Sequence, residues 1–531
     1  MSILAWLESL RPRPASRTGI AAADARPPEP AFDADGAVRI PFEAGLAAYS
    51  GKDYVNAITC FSRVLELRHD DADAHNNLGM SYLQTGRFED AIDSFVLAIH
   101  FRPRFPEALH NQALAALQRR EFAQAVCCLE RALEQRPEFA AAHNTLGYVL
   151  THQTDEFQKG ADHVRRALEL TPEDPEVMCN YCAVLTQEGR AAEALDLCET
   201  LLARHPEMHE ARLNRSFAQL KLGRFDLAWA DYEARKFSLG NYSPRALTFP
   251  EWDGEASGGG KLLIYAEQGL GDQIMFGSCV PDALAHAGGC VIECAPPLLK
   301  LFTRSFAHAI VAAQQPDDAS LVRTARAAGV TRQVAIGSLP ALFRRHRSDF
   351  PVHGGYLRAD SARTDYWKNR LAALGPGLKV GISWVGGAPS TGGSARSTQL
   401  ADWQPVLRQA HCHFVNLQYG NAPAELGDFS RAHGVSIHDW RDAIEDYDET
   451  AALVTALDLV ITVQTALVHL AGALGKPTWV MLQTPCEWRY GEAGETMPWY
   501  PSVRLFRQPQ PGEWRSVMAR IAQDIERLAA S

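Results

Sequence analysis

An α-helical solenoid followed by an α/β region of two lobes is the architecture this sequence predicts, and three observations predict it. Pro103, Pro137, Pro172 and Pro206 recur at spacings of 34, 35 and 34 residues, each just after a helical pattern. Beyond the last of these repeats, short β-rich runs alternate with helical pattern in two successive blocks. The 531 residues also exceed what a single hydrophobic core organises.

Composition narrows the function classes. Hydrophobic content of 46% and charged content of 22% are ordinary for globular protein. A formal net charge of -11, with no long run of Lys or Arg, argues against nucleic acid as a partner. The 11 cysteines are scattered and odd in number, which suits a reducing compartment, and the expected location is the cytoplasm. Cys179 and Cys182 form a CxxC inside a helical repeat, where core packing is the expected role and metal or redox work the alternative.

Residues 1–37 are expected to be a flexible tail. Met1–Leu10 is a short apolar stretch lacking the basic lead of a secretory signal, and Arg11 to Gly36 is rich in Pro, Ala and Arg. No run reaches the roughly 18 apolar residues of a membrane helix, so no membrane span is expected.

Residues 38–240 are expected to form the solenoid. Each repeated proline stops the second helix of a unit. Gly45, Gly79 and Gly147 take the small site of the first helix, where two helices approach closely; Ala57, Ala91, Ala125, Ala194 and Ala228 open the second helix, and Phe61, Phe95 and Tyr232 fill the gap one turn later. The pattern resembles the tetratricopeptide repeat, in about six copies. The fourth copy has an extra residue near Asp155, expected in the turn between helices, and Gly160 where alanine is usual. Asn77, Asn111, Asn180 and Asn214 share the sixth place of their repeats, with Thr145 and Glu43 in the other copies. Carboxamides on one helical face can grip a peptide backbone without reading its sequence, and they also serve as ordinary helix-surface residues. The row resembles the asparagine ladder of eukaryotic O-linked N-acetylglucosamine transferase, which implies acceptor binding.

A loop with Pro250, Trp252, Gly254 and Gly258–Gly260 marks residues 241–260 as a linker. In the first lobe, residues 261–365, strands are expected at Leu262–Ala266, Cys290–Ala295, Ala309–Ala313 and Val334–Gly337. The second lobe, residues 366–531, is expected to carry Val380–Val385, His413–Gln418, Val435–Ile437, Leu459–Val463, Thr478–Leu482 and Val503–Phe506. Strand–helix alternation means a parallel sheet in each lobe, with ligands at the carboxyl ends of the strands.

Two motifs stand at such strand exits: Ala266-Glu267-Gln268-Gly269-Leu270-Gly271-Asp272-Gln273, and Leu459 to Pro477 with Gln464-Thr465-Ala466 at its centre. Together with Trp499–Gln508 they resemble the heptosyltransferase-like (family 9) glycosyltransferases of the GT-B fold, over roughly Pro250 to Trp514. The resemblance implies two Rossmann-like lobes, a nucleotide-sugar donor on the second lobe and an acceptor on the first, with no metal cofactor. Proteins that place such a domain behind tetratricopeptide repeats resemble the flagellin glycosyltransferases, which hold the acceptor protein with the repeats. A protein acceptor, flagellin among the candidates, is implied; a lipid or polysaccharide acceptor and an inactive scaffold are the alternatives.

Each motif has a physical task. Gly269 and Gly271 let the backbone turn sharply at the strand exit, and the helix beginning near Asp272 presents its positive end there. Asp272 matches the aspartate proposed as base in the heptosyltransferases; helix capping is its other reading. Gln464, Thr465 and Ala466 open a helix whose free amides can hold a donor phosphate. His469, one turn on, either donates to that phosphate or fills a core contact. The family usually carries an acidic residue where this chain has Gln464. Arg396, after a Gly/Ser-rich loop, is the candidate cation for the departing nucleotide or else a surface arginine. Gln418 and Tyr419 close a strand where a base could be framed. Asp446-Tyr447-Asp448 has the bare spacing of a metal-binding triplet but precedes a helical pattern, so capping is expected and no metal is assigned. Glu487-Trp488-Arg489-Tyr490 is a further candidate at the lip of the cleft, aromatic packing being its plainer reading.

Overall fold

The computed structural model describes residues 38–238, 245, 247–255, 259–315, 317–387, 393–420 and 423–530. The tail 1–37, most of 239–246, 256–258 and part of the Gly/Ser-rich loop before Arg396 lie outside them. The chain divides into two compact units between Val184 and Leu185, inside the helix Pro175–Gln187, with Ser238 counted in the first.

The first unit is built of helix pairs, beginning with Arg39–Ser50 and Tyr54–Leu67 and reaching Ala140–Gln153 and Phe157–Leu170. Close packing explains the repeated glycines. A Cβ on Gly45 would fall 2.8 Å from the Phe61 ring, and one on Gly79 would fall 2.7 Å from the Phe95 ring. In the fourth pair two backbones meet instead: a Cβ on Gly160 would lie 2.8 Å from the Gly147 carbonyl oxygen, so small residues are required on both helices. The extra residue near Asp155 sits in the turn between these helices, as expected. Asp53 and Asp71 cap the helices that follow them, accepting from Asn56 N–H and Ala74 N–H at 3.1 and 2.9 Å.

In the second unit the helices Ala191–Arg204, His209–Lys221 and Phe225–Tyr232 belong to the same compact body as two sheets. The first sheet is parallel, in the order β3-β2-β1-β4, from β1 (Lys261–Tyr265), β2 (Cys290–Cys294), β3 (Ile310–Ala313) and β4 (Val330–Ala335). The second has the order β10-β11-β9-β8-β5-β6-β7, from β5 (Leu378–Ser383), β6 (Cys412–Asn416), β7 (Ile437–His438), β8 (Leu459–Val463), β9 (Thr478–Leu482), β10 (Thr496–Met497) and β11 (Tyr500–Arg507). Among the described strands only β10 runs antiparallel, against β11. Strands such as β2 and β8 are buried throughout, which is why they read as unbroken apolar runs.

Several expected bounds change in detail, among them Val503–Phe506, which lengthens to Tyr500–Arg507. The strand expected from Val334 starts at Val330, because Thr331 and Arg332 occupy an exposed sheet edge and mask the pattern. The strand expected at Val435–Ile437 shortens to Ile437–His438. The short β10 has too few residues to show a period. Part of the expected linker is ordered: Glu251 bridges to Gln333, and Trp252 is buried against Phe343.

Candidate functional site

In both sheets the strand order reverses beside the first strand of the block, between β1 and β4 and between β5 and β8. Connections leave in opposite directions at such a point and open a crevice at the carboxyl ends of the strands. In the second sheet, Gln464 and Thr465 follow β8 there and start the helix Ala466–Ala473. Thr465 is its N-cap, its hydroxyl accepting from Leu467 N–H at 3.3 Å. In the first, Ala266–Gly269 follows β1 into the helix Leu270–Gly277, and Asp272 Oδ2 accepts from Gly269 N–H at 3.3 Å, so the aspartate does close a cap. Gly271 joins the two helix starts: a Cβ there would lie 3.0 Å from the His469 ring and 3.4 Å from Ala466 Cα. Asp272 and the Thr465 helix end are therefore brought together.

Four charged side chains link across this junction. The second carboxylate oxygen of Asp272 is bonded by the Arg489 guanidinium, Arg489 also bonds Glu487 at 2.5 Å, and Glu487 accepts from Arg396 Nη1 at 2.9 Å. Side-chain exposure is 18% for Asp272, 16% for Arg489, 32% for Glu487 and 10% for Arg396, so the chain is shielded yet reaches solvent at Glu487. Burial opposes the charge on Arg489, but Asp272 and Glu487 outweigh it and raise its pKa. Arg489 lies 4.9 Å over the Trp488 ring. Arg396 is no surface arginine. Arg489 is the partner of Asp272 that sequence reasoning missed: Glu487–Tyr490 stood out, but nothing in spacing says which carboxylate an arginine 217 residues away will meet.

His469 makes a core contact. It is 5% exposed, its Nδ1 is 3.2 Å from the Tyr500 hydroxyl, and its ring packs on Gly271. Burial first, then the nearby Arg489 charge, push its pKa down to about 3, with Asp272 opposing, so it is neutral at physiological pH and supplies no cation to a phosphate. The pH dependence has a definite sign. Between the unfolded value near 6.5 and the folded value near 3 only the unfolded chain binds this proton, so the stabilisation is full above about pH 6.5 and drains as pH falls toward 3. In this window His469→Gln is expected to flatten the stability–pH slope by about 1.4 kcal/mol per pH unit, measured by denaturant titration of both proteins from pH 7 to 4.

Other assignments are corrected. The Gln418 side-chain amide makes five hydrogen bonds, accepting from Ser383 Oγ, Trp384 N–H and Val385 N–H at 2.9–3.0 Å and donating to the Val385 and Tyr419 carbonyls. It is a strut between β5 and β6, with its amide already committed. Tyr419 is 82% exposed. Gln464 is the reverse case: it is 2% exposed, and among the described residues neither its amide oxygen nor its nitrogen has a hydrogen-bond partner. Asp446 caps the helix Tyr447–Ala456, accepting from Asp448 N–H at 2.8 Å; Lys300 pairs with Asp446 at 2.7 Å and Arg304 with Asp448 at 2.8 Å. Among the described residues no group of three or more His, Cys, Asp or Glu could hold a metal ion. Cys179 and Cys182 are both buried in their helix.

The asparagine row is corrected at two of its four places, Asn111 and Asn180. Asn111 is 8% exposed and donates to Asn76 Oδ1 at 3.0 Å; Asn180 is 3% exposed and donates to Asn144 Oδ1 at 2.9 Å. Asn77 donates to the Asp73 carbonyl of its own helix at 2.9 Å, and Asn214 is 9% exposed. At Asn111 and Asn180 the carboxamides tie one repeat to the next, through asparagines one place earlier that periodicity did not single out. A cavity of about 450 Å³ lined by Arg408, Cys412, His413, His433 and His438 opens at the amino ends of β6 and β7, the edge opposite the motif residues.

Repeated helix pairs leading into an α/β region with two parallel sheets define a tetratricopeptide-repeat protein with an α/β partner domain. Tetratricopeptide-repeat families match residues 45–86, 72–105, 110–175 and 185–228. The chain belongs to the family of Protein FlbA of Caulobacter vibrioides, being 33% identical to it over 407 residues, 73% of this chain and 67% of that protein. It is 32% identical to the peroxisomal targeting signal receptor of Candida albicans over 82 residues, 15% of this chain and 13% of that one. Among solved structures, pilF of Pseudomonas aeruginosa aligns with 19% identity and a TM-score of 0.34, covering 38% of this chain and 91% of that one. The tetratricopeptide-repeat protein TTC0263 of Thermus thermophilus aligns with 23% identity and a TM-score of 0.31, covering 35% and 100%. No helix among the described residues is long and apolar enough to cross a membrane.

Proposed function

We propose that this chain is an inverting glycosyltransferase of the GT-B type that moves a sugar from a nucleotide-sugar donor to a hydroxyl of a protein, with no metal, and that the repeats hold the acceptor, for which flagellin is the candidate. The observation that carries the reading is the meeting of Asp272, the Arg489–Glu487–Arg396 chain and the Thr465 helix start at the carboxyl ends of two parallel sheets. In the proposed reaction the acceptor oxygen bonds the anomeric carbon from the face opposite the nucleotide. The acceptor proton passes to Asp272, and the bond to the nucleotide phosphate breaks with its electron pair on the phosphate. Arg396 and the amide at Ala466, at the positive end of its helix, offset that charge. Arg489 must release one Asp272 oxygen for the proton to be taken, and Glu487 is there to receive it. The buried, unpartnered Gln464 amide suits a polar donor group beside the phosphate.

The test is donor-dependent nucleotide release from CDP-, UDP-, GDP-, ADP- and CMP-sugars, with and without candidate acceptor protein. Acceptor-dependent release is the expected result; absence of release with every donor rejects the reading. A second reading, a scaffold whose transferase-like half has lost its chemistry, is favoured by the Asp272–Arg489 pair, which occupies the base in the resting site. It predicts that none of these nucleotides raises the melting temperature.

A further inference from the structure

We infer that the turn Tyr232–Arg235, at the end of the last repeat, is a wedge that fills the ligand crevice of the first sheet and positions the segment leading to Asp272. This makes Arg235 and Tyr232 positioning residues for the site. The inference deepens the proposed reaction and rests on that reading for its catalytic arm.

The crevice of the first sheet lies where Glu267 leaves β1 beside Gly337 and Ser338, which leave β4. Arg235 enters it. Its Nη2 donates to Glu267 Oε1 at 2.6 Å and to Ser338 Oγ at 2.8 Å, its Nε donates to Glu267 at 3.1 Å, and its Nη1 donates to Glu233 at 2.7 Å. Gly337 N–H donates to the same Glu267 oxygen at 3.0 Å, and Ser338 Oγ donates to Glu233 at 2.7 Å. The Arg235 side chain is 0% exposed and that of Glu267 is 4% exposed. No room remains: a Cβ on Gly337 would fall 2.2 Å from Glu267 Oε1. A polypeptide cation thus sits where an α/β sheet ordinarily receives a ligand, which leaves the crevice of the second sheet for a nucleotide.

The same turn sets the next residues. The Tyr232 hydroxyl donates to Gln268 Oε1 at 3.2 Å and accepts from Gln268 Nε2 at 3.1 Å. Gln268 has φ +60°, a left-handed conformation that costs a non-glycine residue free energy and persists only when its surroundings hold it. One residue on, Gly269 donates to Asp272. Downstream, Gln273 Oε1 accepts from Ala295 N–H at 2.8 Å, so the segment is pinned at both ends and the last repeat supplies the upstream pin.

The experiment uses the full chain with Tyr232→Phe, which removes one hydroxyl, and Arg235→Lys, which keeps the charge and loses the fork. Hydrogen exchange is followed at amides 268–274, in helix Pro106–Gln118 and in β8. Both variants are expected to speed exchange at 268–274 by about tenfold or more with the other two regions unchanged. Unchanged exchange there, or an even rise across the second unit, overturns the wedge. In donor-dependent nucleotide release, kcat is expected to fall while donor KM stays within about twofold. A raised KM at constant kcat would overturn the positioning of Asp272. A wild-type chain that turns over no donor sinks the transfer reading alone, since the exchange arm still decides the wedge.

Discussion

Asp272→Asn is expected to lower acceptor-dependent turnover by about 10²–10⁴-fold, the range a positioned general base contributes. The amide keeps the shape of the carboxylate and can still accept from Gly269 N–H, so the helix start is preserved while the proton acceptor is gone. Donor KM should hardly move, because the donor phosphate is assigned to Arg396 and the Ala466 helix start. The measurement is steady-state nucleotide release with saturating acceptor, alongside a melting curve showing that the variant is folded. Turnover within a few-fold of wild type would remove Asp272 from the chemistry and leave its ion pair with Arg489 as an interlobe tie.

Glu267→Ala is expected to destabilise the second unit by about 3–5 kcal/mol, because it strands a fully enclosed guanidinium beside fewer acceptors than it needs. Glu267 offers three of the contacts in the crevice, to Arg235 Nη2, Arg235 Nε and Gly337 N–H. The double variant Glu267→Gln with Arg235→Met removes both charges together and should recover much of the loss, since a buried pair returns little net stability over an apolar replacement. Denaturant unfolding of the two variants and the wild type checks this. A Glu267→Ala loss under about 1 kcal/mol, as for a surface pair, would mean that the crevice is wetter than its geometry indicates. Cutting the chain after Arg235 to isolate the α/β part would strand Glu267 in the same way.

Much of the architecture was legible because its signals are local. The proline period and the Gly45–Phe61 and Gly79–Phe95 pairings are written within single repeats, and buried strands such as β2 and β8 are short apolar runs bounded by turns. β4 was harder to bound, since an exposed sheet edge carries Thr331 and Arg332 and breaks the pattern. The site was legible in part. Glycine loops and helix starts located Asp272 and Thr465, because a strand exit followed by a cap is a local event. Gln418 was misread because a glutamine at a strand end looks alike whether it serves a ligand or braces two strands. Asn111 and Asn180 were misread for a related reason: period identifies the helix face but not whether a carboxamide one place earlier in the preceding repeat has already taken the bond.

By itself the sequence determined the order of elements, the repeat unit and the residues that turn at the strand exits, since these depend on backbone conformation and neighbours a few residues apart. Which charges meet was decided only in the tertiary structure: Arg489 with Asp272, Arg396 with Glu487, and Arg235 inside the first sheet's crevice. An ion pair is selected by distance and shielding between groups that the fold brings together, and those quantities have no counterpart along the chain.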